Sequence, residues 1–293
     1  MGAFKWLWRV LALLLILYAY FAWLHPVRGV ADHPFFGEDE PVVIAHQGGR
    51  GLWPENTLLA FEKADALGVD MIEMDLRSTA DGEIVVIHDA TVDRTTNGQG
   101  RVGDLASREV LQLDAAFAFE GPDGSFPYRD RGITVPSLAS VLAKLPHARL
   151  NVEMKEFTPE LARQLCGSLK EFAAEHRVLV AAFEHDAMTA FREDCPEVAT
   201  SATAREGLFF YQAHRLGLGS LYRSPAVVFQ VPEFFGDIHV IDASFLEWTR
   251  RTNVRVQAWT VNDPKDMERL LEMGVSGILT DYPDRLLELL GRL

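Results

Sequence analysis

The chain has 293 residues, with 28 Lys and Arg against 42 Asp and Glu, a formal net charge of −14 and 48% hydrophobic residues. That balance excludes a general nucleic-acid surface, because nothing resembles a basic stripe able to neutralise a run of phosphates. The length allows one large domain, such as a single barrel of about 250 residues, and an anionic substrate would need a local metal ion or Lys/Arg groups to offset the acidic field.

From Trp6 to Leu24 the chain is almost continuously apolar, with Arg9 near the start and Trp6, Trp8, Tyr18, Tyr20 and Trp23 near the ends. The length matches the ~20 residues of a spanning helix, and the aromatic residues suit two membrane interfaces, so a transmembrane anchor is predicted over residues 1–24. A cleaved signal peptide is the rival, but no clean pair of small residues offers a cleavage site. Lys5 and Arg9 precede the span and Arg28 follows it. The positive-inside rule then puts the N-terminus in the cytoplasm and the large domain outside, as a single-pass membrane protein with the membrane as a partner. Residues 25–40 contain Pro26, Gly29, Pro34 and Gly37 and read as a linker, so the folded domain is expected over 41–293.

Beyond residue 41, strand-like runs at 42–46, 71–75, 150–155, 178–183, 198–202, 227–231, 254–261 and 277–281 alternate with helical stretches. The helices are expected at 57–67, 159–175, 185–194, 205–216, 244–251, 264–273 and 283–290. Eight parallel strands with intervening helices predict an α/β fold, a (β/α)8 TIM barrel behind the N-terminal transmembrane helix. A ninth apolar run at 84–88 follows the turn residues Asp81-Gly82 too closely for a crossover helix, so it is expected to be an antiparallel addition. Residues 84–136 have no place in a minimal barrel and read as an insertion after the second strand, over the barrel mouth, while 238–242 reads as an excursion before the 244–251 helix. Cys166 and Cys195 are too few for a disulfide framework and lack CxxC spacing. No cysteine chemistry is expected, with a single disulfide as the alternative in an oxidising compartment.

Polar groups cluster where the apolar runs end. His46 closes the first, Glu73 and Asp75 lie on the second, His88 closes the 84–88 run, and Glu153 and Lys155 close the fourth. Side chains two apart on a strand share a face, so Glu73 with Asp75 and Glu153 with Lys155 each point together. Three converging carboxylates repel unless a cation lies between them, and ligation by oxygen alone favours Mg²⁺ or Ca²⁺ over zinc. The histidines are then available for proton transfer. Plainer readings stand beside these: a solvated edge for the Glu73/Asp75 pair, a mutual ion pair for Glu153 and Lys155, and buried structural roles for the histidines. Pro54-Glu55-Asn56-Thr57 reads as helix punctuation with Asn56 or Thr57 as N-cap, Arg94-Thr95-Thr96 as a turn of the insertion or a brace for a lid, and Trp259 as barrel filling or an apolar substrate wall.

The ordered set His46-Gln47-Gly48-Gly49, Pro54-Glu55-Asn56-Thr57, Ile72-Glu73-Met74-Asp75, Val86-Ile87-His88-Asp89, Arg94-Thr95-Thr96, Asn151-Val152-Glu153-Met154-Lys155, Trp259-Thr260-Val261-Asn262 and Thr280-Asp281-Tyr282-Pro283 resembles the glycerophosphodiester phosphodiesterases. The likeness runs from about residue 42 to 290. It implies a (β/α)8 barrel with an insertion after the second strand, and divalent-metal-dependent hydrolysis of glycerophosphodiesters to an alcohol and sn-glycerol 3-phosphate. Matched motif by motif, Glu73, Asp75 and Glu153 would be metal ligands, His46 and His88 the acid–base pair, and Gln47, Lys155 and Trp259 the substrate contacts. One departure stands out: the family usually has Arg where this chain has Gln47, and a neutral amide donates a hydrogen bond about half as strong as a charge-assisted one. Arg50 is close enough in sequence to substitute. Two alternatives accompany this reading. One is lysophospholipase D-like action on lysophospholipids, with Trp53, Phe117, Phe119 and Phe126 as apolar surface. The other is a non-catalytic phosphodiester-binding barrel.

Overall fold

The computed structural model describes residues 2–24, 29–37, 41–156, 158–216, 218–219 and 222–293. In chain order the elements are α1 (Gly2–Leu24), β1 (Val42–Ala45), α2 (Leu58–Leu67), β2 (Met71–Ser78), β3 (Ile84–Val86), α3 (Ser107–Val110), α4 (Leu138–Lys144), β4 (Leu150–Met154), α5 (Pro159–Glu171) and β5 (Val178–Ala182). There follow α6 (His185–Asp194), β6 (Ala199–Thr200), α7 (Ala204–Arg215), β7 (Val228–Val231), β8 (Phe234–Phe235), β9 (Ile238–His239), α8 (Ala243–Arg251), β10 (Arg255–Ala258), α9 (Pro264–Met273), β11 (Gly277–Thr280) and α10 (Pro283–Leu289).

Short aliphatic runs buried on both faces make parallel strands, because helices cover them outside and side chains fill them inside. Eight strands run in the order β6-β5-β4-β2-β1-β11-β10-β7, every neighbouring pair parallel. A parallel bridge between Ser201 and Val228 joins β6 to β7, and Ala202 N–H donates to Val228 O at 2.9 Å. With at least one helix between each successive pair of barrel strands and α10 after the last, this is a (β/α)8 barrel.

Inside the barrel, Val42, Ile44, Met71, Leu179, Ala199, Val228 and Leu279 form one apolar cluster, with Phe35 packed into it. Phe35 belongs to the stretch read as a linker, and Val30 N–H bonds Thr252 O at 2.8 Å nearby. Residues 25–28 and 38–40 of that stretch lie outside the described residues. Helix starts follow local chemistry: the Thr57, Ser137, Thr158 and Thr203 side chains each accept from the backbone N–H three residues on. Thr57, not Asn56, is therefore the cap of α2.

The antiparallel run is β3, paired to β2 through Leu76, Arg77 and Ser78. The insertion after it has its own small core of Val85, Ile87, Val92, Val102, Val110, Ala115 and Val135. Residues 238–239 form a two-stranded hairpin with 234–235. Helix α4 supplies the second barrel crossover; at seven residues it is too short to show a helical period in sequence.

Two expectations need correction. Residues Gly2–Leu24 do form a helix, α1, but among the described residues no helix is long and apolar enough to cross a membrane. Lys5 and Arg9 interrupt its first half, and Trp6, Trp8, Tyr18 and Tyr20 bring polar atoms into the run. The transmembrane helix, the single-pass topology with an outer-facing domain, and the membrane as a partner through this helix are thereby withdrawn. The cysteines also differ from expectation: Cys166 on α5 and Cys195 at the end of α6 form a disulfide, with Cα atoms 5.8 Å apart. Their spacing carried no hint of this, because the pairing is made by the packing of α5 on α6. The bond closes a loop with a sequence separation of 29, for which loop-closure entropy gives about 3–4 kcal/mol. Cys166→Ser with Cys195→Ser is expected to lower the denaturant midpoint accordingly while leaving activity in native buffer intact.

Candidate functional site

Alternation along each strand carries the inward row past the apolar layer into polar groups at the mouth. Two residues beyond the inward Ile44 is His46; two and four beyond Met71 are Glu73 and Asp75; two beyond Leu279 is Asp281. Glu153 stands two beyond the buried Asn151, in register with Asp75.

Glu73, Asp75 and Glu153 each offer a carboxylate oxygen, all within 4.8 Å of one another. Asp75 is wholly buried, and its Oδ2 accepts from Gln47 Nε2 at 2.7 Å and Asn56 Nδ2 at 2.8 Å. Glu73 Oε2 accepts from the Gln47 backbone N–H at 2.7 Å. Lys155 Nζ lies 3.1 Å from Asp75 Oδ1 and 2.8 Å from Glu153 Oε1. Lys155 is therefore shared between the two carboxylates and compensates only part of the cluster's charge. Burial, reinforced by the Asp75 charge, pushes the Glu73 carboxyl up to about 8. Burial also raises Glu153, against the opposing pull of Lys155. Burial works to lower Lys155, but Asp75 and Glu153 outweigh it and hold the ammonium charged. Three carboxylates converging within 4.8 Å, with the single Lys155 ammonium against them, keep an excess of negative charge that burial disfavours and that fits a hard divalent cation.

Each histidine is held through Nδ1 by an aspartate that an arginine also touches. His46 Nδ1 is 2.6 Å from Asp281 Oδ1, and its Nε2 is 4.0 Å from Glu73 Oε2. Asp281 Oδ2 accepts from Asn262 Nδ2 at 2.8 Å, and Arg50 Nε lies 3.2 Å from Oδ1. Burial acts to lower the His46 pKa, but the Asp281 hydrogen bond and the charges of Glu73, Asp281 and Asp75 overcome it and the value is raised. His88 Nδ1 is 2.7 Å from Asp89 Oδ1. Arg94 donates to Asp89 at 2.6 Å and forks onto Glu55 at 2.6 and 2.9 Å. The Arg94 hydrogen bond is the main reason Asp89 falls to about 2.

His46, Gln47, Glu73, Asp75, Glu153 and Lys155 are thus brought into one bonded cluster. His88 stands beside it, near enough to Glu153 for the two to interact electrostatically. Trp259 lies apart from these contacts, its ring edge-on to Phe183 at 6.1 Å. Gln47 is fully buried in a left-handed conformation, φ 52°, with its amide turned onto Asp75. Four participants escaped the reading of candidate residues: Asn56, Asp89, Asn262 and Asp281. Asp281 had a signal, since it ends an apolar strand on the inward face as His46 does, and Asp89 is the sequence neighbour of His88; Asn56 and Asn262 are visible only through contacts distant in sequence.

Fold and mouth together define a (β/α)8-barrel protein with an acidic cluster able to hold a cation and two aspartate-held histidines at its mouth. The chain belongs to the glycerophosphoryl diester phosphodiesterase family, whose model matches residues 46–285. It is 34% identical over 255 residues to a glycerophosphodiester phosphodiesterase of Caldanaerobacter subterraneus subsp. tengcongensis, covering 85% of this chain and 97% of that protein. Among solved structures, the glycerophosphoryl diester phosphodiesterase domain of a Mycobacterium tuberculosis protein shares the fold with a TM-score of 0.75 at 21% identity, over 87% of this chain and 100% of that one. A phosphodiesterase of Oleispira antarctica, solved with its product sn-glycerol 3-phosphate, gives 0.68 at 24% identity, over 86% of this chain and 97% of that one.

Proposed function

We propose that the chain is a divalent-metal-dependent phosphodiesterase that hydrolyses glycerophosphodiesters to an alcohol and sn-glycerol 3-phosphate. The observation that carries this is the convergence of Glu73, Asp75 and Glu153, with carboxylate oxygens all within 4.8 Å of one another, beside two aspartate-held histidines in a member of this family. Glu73, Asp75 and Glu153 would hold the cation, with Mg²⁺ or Ca²⁺ the best matches to three carboxylate oxygens. When bound, it supplies charge against the phosphoryl oxygens.

The remaining work falls to side chains. Gln47 and Asn56 fix one oxygen of Asp75 and leave the other turned to its neighbours. Lys155 stays protonated and meets negative charge developing on the phosphoryl group. Asp281 accepts the Nδ1 proton of His46, which directs Nε2 toward the mouth. With its pKa raised, His46 holds a proton there and delivers it to the leaving alkoxide oxygen; the Asp281 bond maintains this when a cation has neutralised the carboxylates. His88, oriented the same way by Asp89, accepts the proton of the attacking hydroxyl at its Nε2. Trp259 with Phe183 forms an apolar wall for the carbon part of the substrate.

A second reading, release of the head group from lysophospholipids, draws support from the exposed Phe183, Phe234, Phe235 and Ile238, all on segments that follow barrel strands. The test is a panel of glycerophosphodiesters and lysophospholipids, assayed with Mg²⁺, Ca²⁺ or EDTA. The expected result is metal-dependent release of sn-glycerol 3-phosphate from the glycerophosphodiesters, with lysophospholipid cleavage marking the second reading. No product from any substrate with any metal would leave only a phosphodiester-binding barrel.

A further inference from the structure

We infer that Arg50 binds the phosphate of the substrate, an inference that rests on the phosphodiesterase reading. The cations around the mouth differ in how far they are already engaged. Arg77 donates from Nε to His88 O at 2.8 Å and faces Glu156 at 3.7 Å. Arg94 is consumed by Glu55 on one side and Asp89 on the other. Lys155 lies between Asp75 and Glu153. Gln47, next to His46, carries no charge and has turned its amide inward onto Asp75 at 2.7 Å.

Arg50 is different. Its Nε is anchored 3.2 Å from Asp281 Oδ1, the same oxygen that holds His46. Its only other contact among the described residues is Nη1 to Gln47 Oε1 at 3.5 Å, the outer limit of a hydrogen bond. The side chain is 43% exposed, and its outer Nη groups carry donors left open to solvent. Its backbone is well fixed for a loop residue: Arg50 N–H reaches His46 O at 3.2 Å and Gly51 N–H reaches Asp281 O at 3.0 Å. Any side chain at Gly51 would strike the Tyr282 ring and Asp281 O. A guanidinium held at Nε with its outer fork open has the geometry for two parallel bonds to a phosphate.

Position completes the case. Lys155 stands at the end of β4 and Arg50 is tied to the residue that ends β11, while β2 and β1, which carry Glu73, Asp75 and His46, lie between them. A phosphodiester monoanion over the carboxylates is therefore bracketed by cationic donors on both flanks, Lys155 on one side and Arg50 beside His46 on the other. The phosphomonoester product, with more negative charge, would engage the same pair.

The test compares full-length wild type, Arg50→Gln and Arg50→Lys. The readouts are KM and kcat on a glycerophosphodiester, competitive inhibition by inorganic phosphate, calorimetric affinity for the divalent metal alone, and the pH–rate profile. Arg50→Gln is expected to raise KM and the inhibition constant of inorganic phosphate by about ten- to a hundredfold, with metal affinity unchanged and any movement of the pH profile, through Asp281, too small to account for that loss. Arg50→Lys, retaining charge without the fork, is expected to fall in between, and it decides the matter should Arg50→Gln not fold. A phosphate inhibition constant within about twofold of wild type in both variants overturns the inference, as does a shifted pH profile with phosphate inhibition unchanged, which would mean that Arg50 acts only through Asp281. If the wild type hydrolyses no glycerophosphodiester, the phosphodiesterase reading fails, but calorimetric binding of inorganic phosphate to the same variants still tests Arg50.

Discussion

Replacing His46 by Ala is expected to lower kcat by about 10²–10⁴-fold, the range that general acid–base groups supply, while divalent-metal affinity stays near wild type. The separation follows from the contacts: His46 Nε2 is 4.0 Å from the nearest carboxylate oxygen, whereas Gln47 and Asn56 do the work of fixing Asp75. Asp281→Asn provides the companion measurement. It removes the anion that holds His46 protonated, so the alkaline limb of the pH–rate profile should move to lower pH. His46→Ala with near-normal turnover would take His46 out of the acid role; Asp281→Asn with an unmoved alkaline limb would mean that the carboxylate cluster, not Asp281, sets its protonation.

The second large effect concerns stability without metal. Burial and Asp75 raise the Glu73 carboxyl from 4.5 to about 8 in the folded chain. Between those values the folded state holds a proton that the unfolded state has released, so stability falls as pH rises through that window. His46, also raised, acts in the same direction: its contribution is present at low pH and lost as pH passes its folded value. In EDTA the thermal midpoint should therefore drop from pH 5 to pH 8, and a divalent cation should restore it most at the higher pH, with proton release on binding at neutral pH. Glu73→Gln should abolish much of the metal response and yet make the metal-free protein more stable at pH 8 than metal-free wild type. A metal-free midpoint that rises over this range would show that Glu73 is ionised in the folded state without a cation.

The barrel could be read from sequence because each of its strands is an apolar run of the right length, and the residue that ends such a run on the inward face stands at the mouth. That single rule reaches His46, Glu73, Asp75, Glu153 and Asp281 alike. What it cannot reach is the identity of partners. Asn56 looks like a helix cap until its amide is seen on Asp75 Oδ2, and Thr57 proves to be the cap. Gln47 reads as a weakened phosphate contact, yet its amide faces the carboxylates. The Cys166–Cys195 bond and Arg94 between Glu55 and Asp89 join positions whose nearness is created only by helix packing and by the folding of the insertion. The N-terminal run failed for another reason, since apolar composition and aromatic flanks do not by themselves make a membrane-spanning helix.

The barrel does not close with equal strength all the way round. Between β6, only two residues long, and β7 it is joined through the bridge at Ser201 and two flanking backbone bonds, whereas β2 and β4 share five paired positions. This is the seam at which breathing should begin, seen as early amide exchange around Thr200 and Ser201. The strands that carry the carboxylate cluster and His46 lie away from the seam in the ring, so the seam can loosen without disturbing that cluster. Phe183 and Trp259 issue from β5 and β10, the strands next to β6 and β7 on either side of the seam, and their ring contact bridges the two like a clasp. Substrate packed on those rings would draw the clasp tight, coupling occupancy of the mouth to the integrity of its weakest joint.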